Sequence, residues 1–184
     1  MRIALSHVPL LLAGLFVVGG SSVARMEHPA RFLLVAIQGG RFLEVGSGVL
    51  QTGPNDCGPA ALAHCLRRLG ADAPYPDPEC TVPLGRNGCR LDALAADAER
   101  QGWSTRVRRL ATGEVGSVLP PAILHSREGH FLVLERVGTD GEVFLHDPAV
   151  GSIRHSAASW ARRWTGHVLE FPRSEPWSEK ASAW

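Results

Sequence analysis

Apolar residues at three- and four-residue spacing mark two helices early in this chain. Leu62, Cys65, Leu66 and Leu69 fall at i, i+3, i+4 and i+7, and Gly70 closes the run. Leu91, Leu94, Ala95 and Ala98 repeat the spacing ahead of Gly102. Elsewhere the apolar runs are short or alternate with polar residues, as strands do. Residues 32–37 predict a strand, with residues 41–45 as its hairpin partner across Gly39-Gly40. Further strands are predicted over residues 103–110, 122–124, 130–137, 142–146, 152–155 and 167–171. Ser156 is placed to cap a short helix carrying Trp160 and Trp164. Residues 71–88, with four prolines, predict irregular surface chain. Helices first and hairpin-linked strands later predict an α+β domain, a helix packed on an antiparallel sheet. No internal repeat and no second domain are visible.

The ends of the chain predict something else. Met1-Arg2 leads into an apolar run over residues 8–18, then Ser22-Val23-Ala24. A short positive start, a short apolar run and small residues fit an export signal ending at Ala24. The run is short for a membrane span, although residues 3–24 together could serve as an uncleaved tether. Residues 1–24 are thus read as signal peptide or short anchor, 25–172 as the folded domain, and 173–184 as a polar tail. The domain is expected outside the cytoplasm, periplasmic or secreted. The 184 residues are 45% hydrophobic and 20% charged, with a net charge of +1, which suits a globular core. Without a basic excess, a nucleic-acid partner is set aside.

Export bears on the four cysteines, Cys57, Cys65, Cys80 and Cys89, because disulfides persist outside the cytosol. Cys80 and Cys89 bracket a Pro/Gly-rich loop with little other visible order, so a bridge between them is favoured. Pairings through Cys65 stay open. No CxxC or HxxxH spacing occurs, and no metal is expected.

Cys57 stands where the Gly/Pro loop of residues 51–56 gives way to the first helix. The exposed N–H groups and dipole there favour thiolate, the nucleophilic form. A small buried cysteine is the competing role, and position alone leaves both open. A nucleophile needs a base, and the base an orienting group. With a four-residue loop at 138–141, Leu132 faces Asp147 and His130 faces Ala149. His130 and Asp147 then point to one side as diagonal neighbours. A two-residue loop would keep them on one face but further apart. Asp147 precedes Pro148, which biases it to extended backbone. Gln51, six residues before Cys57, can add a side-chain donor to the Cys57 backbone N–H for a developing oxyanion. Taken singly, each of these residues has an ordinary structural role. His64, on the side of the helix away from Leu62 and Leu66, reads as a solvated histidine.

Together these pieces resemble the papain-like cysteine peptidases that process bacteriocin and other double-glycine leader peptides. The resemblance rests on Gln51-x5-Cys57 within Asp56-Cys57-Gly58-Pro59-Ala60-Ala61-Leu62, on Pro121-Ala122-Ile123-Leu124, on Gly129-His130-Phe131-Leu132-Val133-Leu134, and on Asp147-Pro148-Ala149-x-Gly151. Trp164-Thr165-Gly166 adds a late element. The resemblance implies a papain-like fold and no cofactor. It also implies Cys57 as nucleophile, His130 as base and later acid, Asp147 as orienter and Gln51 as oxyanion donor. A peptide or protein substrate would acylate Cys57, and water would release the thioester. A non-catalytic peptide-binding module of the same fold, or an acyltransferase passing the thioester to an amine, are the alternatives.

Overall fold

The computed structural model describes residues 29–172; the leader and tail readings fall on residues outside that span. In chain order the elements are α1 (Pro29–Ile37), β1 (Arg41–Val45), α2 (Cys57–Arg68), α3 (Leu91–Arg100) and β2 (Arg106–Arg109). A 3₁₀ turn (Val115–Ser117) follows, then β3 (Ala122–Ser126), β4 (Phe131–Val137), β5 (Val143–Asp147), β6 (Gly151–His155), α4 (Ala157–Arg163) and β7 (Trp164–Glu170). No helix among the described residues is long and apolar enough to cross a membrane.

The seven strands form one antiparallel sheet in the order β1-β6-β5-β4-β3-β7-β2. Its central strands are apolar on both faces, as strands covered on both sides must be. Alternate residues divide cleanly. Ile123, Val133 and Leu169 pack with Leu62, Cys65, Leu66 and Leu94 from α2 and α3. Their neighbours Leu124, Leu132, Leu134 and Val168 point the other way, onto Val35 of α1 and Trp160 of α4. The expected α+β class and helix-on-sheet packing are therefore present, with helices on both faces.

One predicted element is of the wrong type. Residues 32–37 are helical, inside α1, so there is no hairpin with β1. A six-residue apolar run fits either period, and here Pro29 at the first helical position and Gly39 at φ 76° bracket a helix. Freed from that hairpin, β1 pairs with β6 as an edge strand. The β4–β5 register follows expectation at its base, with Val133 opposite His146 and Leu134 opposite Leu145. An irregularity between Leu134 and Arg136 then slips the pairing by one, so that Val137 faces Val143 instead of Glu142.

The proposed Cys80–Cys89 bridge is not formed; all four cysteines are free thiols. The loop has other means of order. Asp97 accepts from Thr81 N (3.0 Å) and Thr81 Oγ1 (2.8 Å), and Arg100 donates to Glu79 O at 2.7 Å. Cys89 Sγ turns inward instead and packs against Gly58 in the first turn of α2, where a Cβ has no room.

His64 is also corrected, since it is buried rather than solvated. Residues 57–66 of α2 are buried almost all round, because the sheet, α3 and the loop over residues 46–51 all pack against it. His64 stacks on His146 with ring centroids 3.8 Å apart and donates from Nε2 to Glu135 Oε1 at 3.1 Å. Val49 joins them: its N–H donates to His64 Nδ1 (3.4 Å), and its carbonyl accepts from His146 Nε2 (2.8 Å).

Gly151 opens β6 at φ 103°, and a Cβ there would meet Glu44 O and lie 2.8 Å from Gly46 N. Gly151→Ala is expected to destabilise the fold by about 1–3 kcal/mol in urea unfolding. Gly113→Ala, in open space at ordinary φ, serves as the neutral control. Equal midpoints for the two variants would contradict this account of the β1–β6 edge.

Candidate active site

Cys57 is the first residue of α2, and its position depends on the loop before it. Asp56 makes no side-chain cap to the helix. Its carboxylate instead gathers the loop, accepting from Thr52 N (3.1 Å), Thr52 Oγ1 (2.9 Å), Gly53 N (3.0 Å) and Tyr75 Oη (2.6 Å). Burial works to raise the Asp56 pKa, but these donors together hold it below the usual carboxylate value. A tight anionic turn therefore presents the start of α2 to a cleft of about 570 Å³. Arg31, Leu34, Asn55, Cys57, Glu128 and His130 are among its lining residues.

The opposite wall comes from the sheet. His130 precedes β4 and Asp147 ends β5, and the register brings them together as the diagonal reading expected. His130 Nε2 lies 2.7 Å from Asp147 Oδ1. With Nε2 engaged there, Nδ1 is left for Cys57, whose thiol lies within hydrogen-bonding reach of the imidazole. Asp147 is fully buried and fully used. Oδ1 also accepts from Ala149 N (2.9 Å), and Oδ2 accepts from Arg31 Nε (2.8 Å).

The electrostatics separate the four thiols. Burial works to raise the pKa of Cys57, but the hydrogen bond and charge of His130, with the Phe131 N–H, outweigh it and bring the thiol below its ordinary value. Burial pushes Cys65 well up, aided by Glu135. Burial, with Cys57 and Cys80 nearby, pushes Cys89 up to about 12. Cys80 is also raised by burial. His130 shows the complementary pattern: burial works to lower it, but the Asp147 charge and hydrogen bond, with Cys57, raise it to about 9. Burial alone would raise Asp147, yet the His130 and Arg31 charges hold it far below the carboxylate range. This arrangement favours a thiolate–imidazolium pair braced by a carboxylate, the ionic form of a nucleophile and its base.

Gln51 is buried, and its backbone N–H donates to Pro148 O at 2.8 Å, which ties the loop beside Asp147. Its Nε2 donates to Gly53 O at 2.6 Å and keeps a second N–H, while Oε1 has no partner among the described residues. Two contributors went unseen in the sequence. Phe131 acts through its backbone, which side-chain motifs do not report. Arg31 sits in an apolar run with no motif around it. Among the described residues no group of His, Cys, Asp and Glu is arranged to hold a metal ion.

The sheet with its N-terminal cysteine helix and facing His–Asp pair defines a papain-like cysteine peptidase domain. The Peptidase C39 family matches over residues 47–175, and the chain belongs to that family. It is 34% identical over 126 residues to a probable microcin-H47 secretion/processing ATP-binding protein of Escherichia coli, covering 68% of this chain and 18% of the relative. It is 35% identical over 130 residues to the colicin V secretion/processing ATP-binding protein of the same organism, covering 70% of this chain and 18% of the relative. The match thus spans under a fifth of the length of these relatives. An uncharacterized protein of Methanothermobacter marburgensis is 29% identical, covering 69% of this chain and 89% of that protein. Among solved structures, a double glycine motif protease from an AMS/PCAT transporter, in complex with the leader peptide, superposes with TM-score 0.60 at 23% identity. That comparison covers 70% of this chain and 91% of the other. The peptidase domain of Streptococcus ComA gives 0.54 at 21%, covering 66% and 93%. Both share the fold.

The shifted histidines predict how stability varies with pH. Burial, with His64 and Arg163 nearby respectively, presses His146 and His155 down to about 4. Between 6.5 and 4 the unfolded chain takes up protons that these two sites refuse, so stability falls as pH drops through that window. His130 and Cys57 shift in opposite senses: between 6.5 and 9 the folded imidazolium keeps a proton that the unfolded chain has lost, while the Cys57 thiolate lacks one that the unfolded thiol retains, so the two offset. Unfolding free energy is expected to fall as pH drops from 6.5 to 4, with a slope of up to about 1.4 kcal/mol per pH unit per group. A wild-type profile level from pH 4.5 to 6.5 would contradict these environments.

Proposed function

We propose that this chain hydrolyses a peptide bond in a peptide or protein substrate through Cys57, His130 and Asp147, with Gln51 as oxyanion donor. The observation that carries the reading is that Cys57 lines one cleft with His130, whose imidazole a buried carboxylate braces at 2.7 Å. In keeping with this, Cys57 alone among the four thiols lies below its ordinary pKa. The Cys57 thiolate attacks the substrate carbonyl, and charge gathers on its oxygen. The Cys57 N–H, free at the start of α2, and the second N–H of Gln51 stabilise that charge. His130 gives its proton to the departing amine, leaving a thioester. It then takes a proton from the attacking water, and collapse of the second intermediate frees the acid and returns the thiolate beside a protonated His130. Asp147 keeps the ring oriented throughout.

Peptide substrates are supported by the names of the similar proteins, which describe secretion/processing proteins and a protease held with a leader peptide. We further propose an extracytoplasmic site of action, supported by the export-like pattern of residues 1–24. Residues 3–24 would supply the tether if left uncleaved.

A thiol-directed peptide inactivator tests the reading. Fast labelling at Cys57 at neutral pH is expected, slowed about 10²–10⁴-fold in His130→Ala. Equal labelling of Cys57 and Cys65, indifferent to His130, would contradict it. Gln51→Ala is expected to lower kcat by about 10²–10³-fold with little change in KM. Products formed with and without an added amine distinguish hydrolysis from acyl transfer.

A further inference from the structure

The cleft and the triad borrow a residue from outside the matched family domain. The family match begins at residue 47, whereas Arg31 and Leu34 stand on α1 and line the same cleft as Cys57 and His130. Arg31 Nε donates to Asp147 Oδ2 at 2.8 Å, on the carboxylate oxygen that His130 does not use. Both side chains are buried, at 9% and 0% exposure.

We propose that Arg31 is a positioning residue for the peptidase reaction, clamping Asp147 and making the reactive charge state of the site electrically neutral. The inference rests on the Cys57–His130–Asp147 reading above. In the reactive state, Cys57 thiolate, His130 imidazolium and Asp147 carboxylate sum to one negative charge. A net charge buried at this site is costly unless it is paired. Arg31 supplies the missing positive charge and completes an alternating series of four. It also fixes the carboxylate from its far side, so that Asp147 cannot rotate away from the ring.

The placement of Arg31 does not depend on that ion pair. Val35 of α1 is fully buried against the sheet, and Phe32 stacks on Phe42 with centroids 4.9 Å apart. Gln38 Nε2 donates to Glu128 Oε1 at 2.9 Å, and Gln38 O accepts from Ser159 Oγ at 2.6 Å. The helix is anchored at several points, so a change at Arg31 reads out at the site before it reads out in the fold. Among the described residues, the Arg31 guanidinium makes one side-chain hydrogen bond, the one to Asp147. Other charged or titratable groups face this region: His146, His155, Arg163 and Glu128 around Asp147 and Arg31, and His125 near His130. None of them hydrogen-bonds Asp147 Oδ2.

The test uses the full chain, with iodoacetamide alkylation of Cys57 followed against pH and a fluorogenic peptide ending in Gly-Gly for turnover. Losing the Arg31 charge leaves Asp147 uncompensated, which disfavours the thiolate and strengthens the hold on the His130 proton. Arg31→Gln is therefore expected to move both limbs of the profile to higher pH and to lower kcat about 10- to 100-fold, with KM changed less than about threefold. Arg31→Lys, which keeps the charge, is expected to return the profile to its wild-type position. Arg31→Met keeps an unbranched stem and decides by the same readings if the Gln variant does not fold. A wild-type profile and kcat in Arg31→Gln, or a fall in kcat with an unmoved profile and a lowered Tm, would overturn the inference. Activity surviving in Cys57→Ala would instead sink the triad reading, and this inference with it.

Discussion

The rest of the site depends on the 2.7 Å contact between His130 and Asp147. The carboxylate is fully buried, so it tolerates its charge only because cationic and N–H partners surround it. That charge holds a proton on His130, and the imidazolium in turn favours thiolate at Cys57. Each step makes the next one favourable, and no single residue of the series would have these properties alone. A cysteine at a helix N-terminus gains some thiolate character from the helix itself, but burial at this position works against it. The net lowering comes chiefly from the imidazole, with the Phe131 N–H.

The fold serves this contact by register. His130 and Asp147 lie at adjacent strand ends, and a shift of one residue would turn one of them to the opposite face. The pairing is correct beside the site and slips only toward the loop at residues 138–141, beyond the Leu134–Leu145 pair. The opposite wall is held by hydrogen bonds as well as by the packing of α2. Asp56 folds the turn before Cys57, and Val49 and Gln51 fasten the loop to the His146-Asp147-Pro148 corner. The two halves of the site are thus tied together at the base of the cleft, on both sides of Asp147.

Much of this was legible in the residues because the signals were local. The helix after Cys57 has clear periodicity and a glycine stop, and counting back from a four-residue loop places His130 and Asp147 on one face. The observed pairing starts one residue out at the loop, and the irregularity between Leu134 and Arg136 restores that register beside the site. The misreadings share a physical origin in long-range packing. Residues 32–37 carry an apolar run that fits a strand or a helix, and what decides is burial of Val35 beneath a sheet formed much later in the chain. The spacing of Leu62 and Leu66 marks one covered helix face, whereas His146, Glu135 and the loop over residues 46–51 cover a second around His64. Arg31 gave no signal, since its partner lies 116 residues away. The bridge between Cys80 and Cys89 followed from a loop assumed to lack other order, yet Asp97 and Arg100 supply that order.

The central claim, that a buried carboxylate keeps His130 protonated where an ordinary histidine would be neutral, is open to direct measurement. NMR titration of the histidine ring signals, assigned through His130→Gln, should place His130 near 9 in the wild type and well below that in Asp147→Asn. A His130 titration near the ordinary 6.5, unchanged when Asp147 is neutralised, would contradict the account.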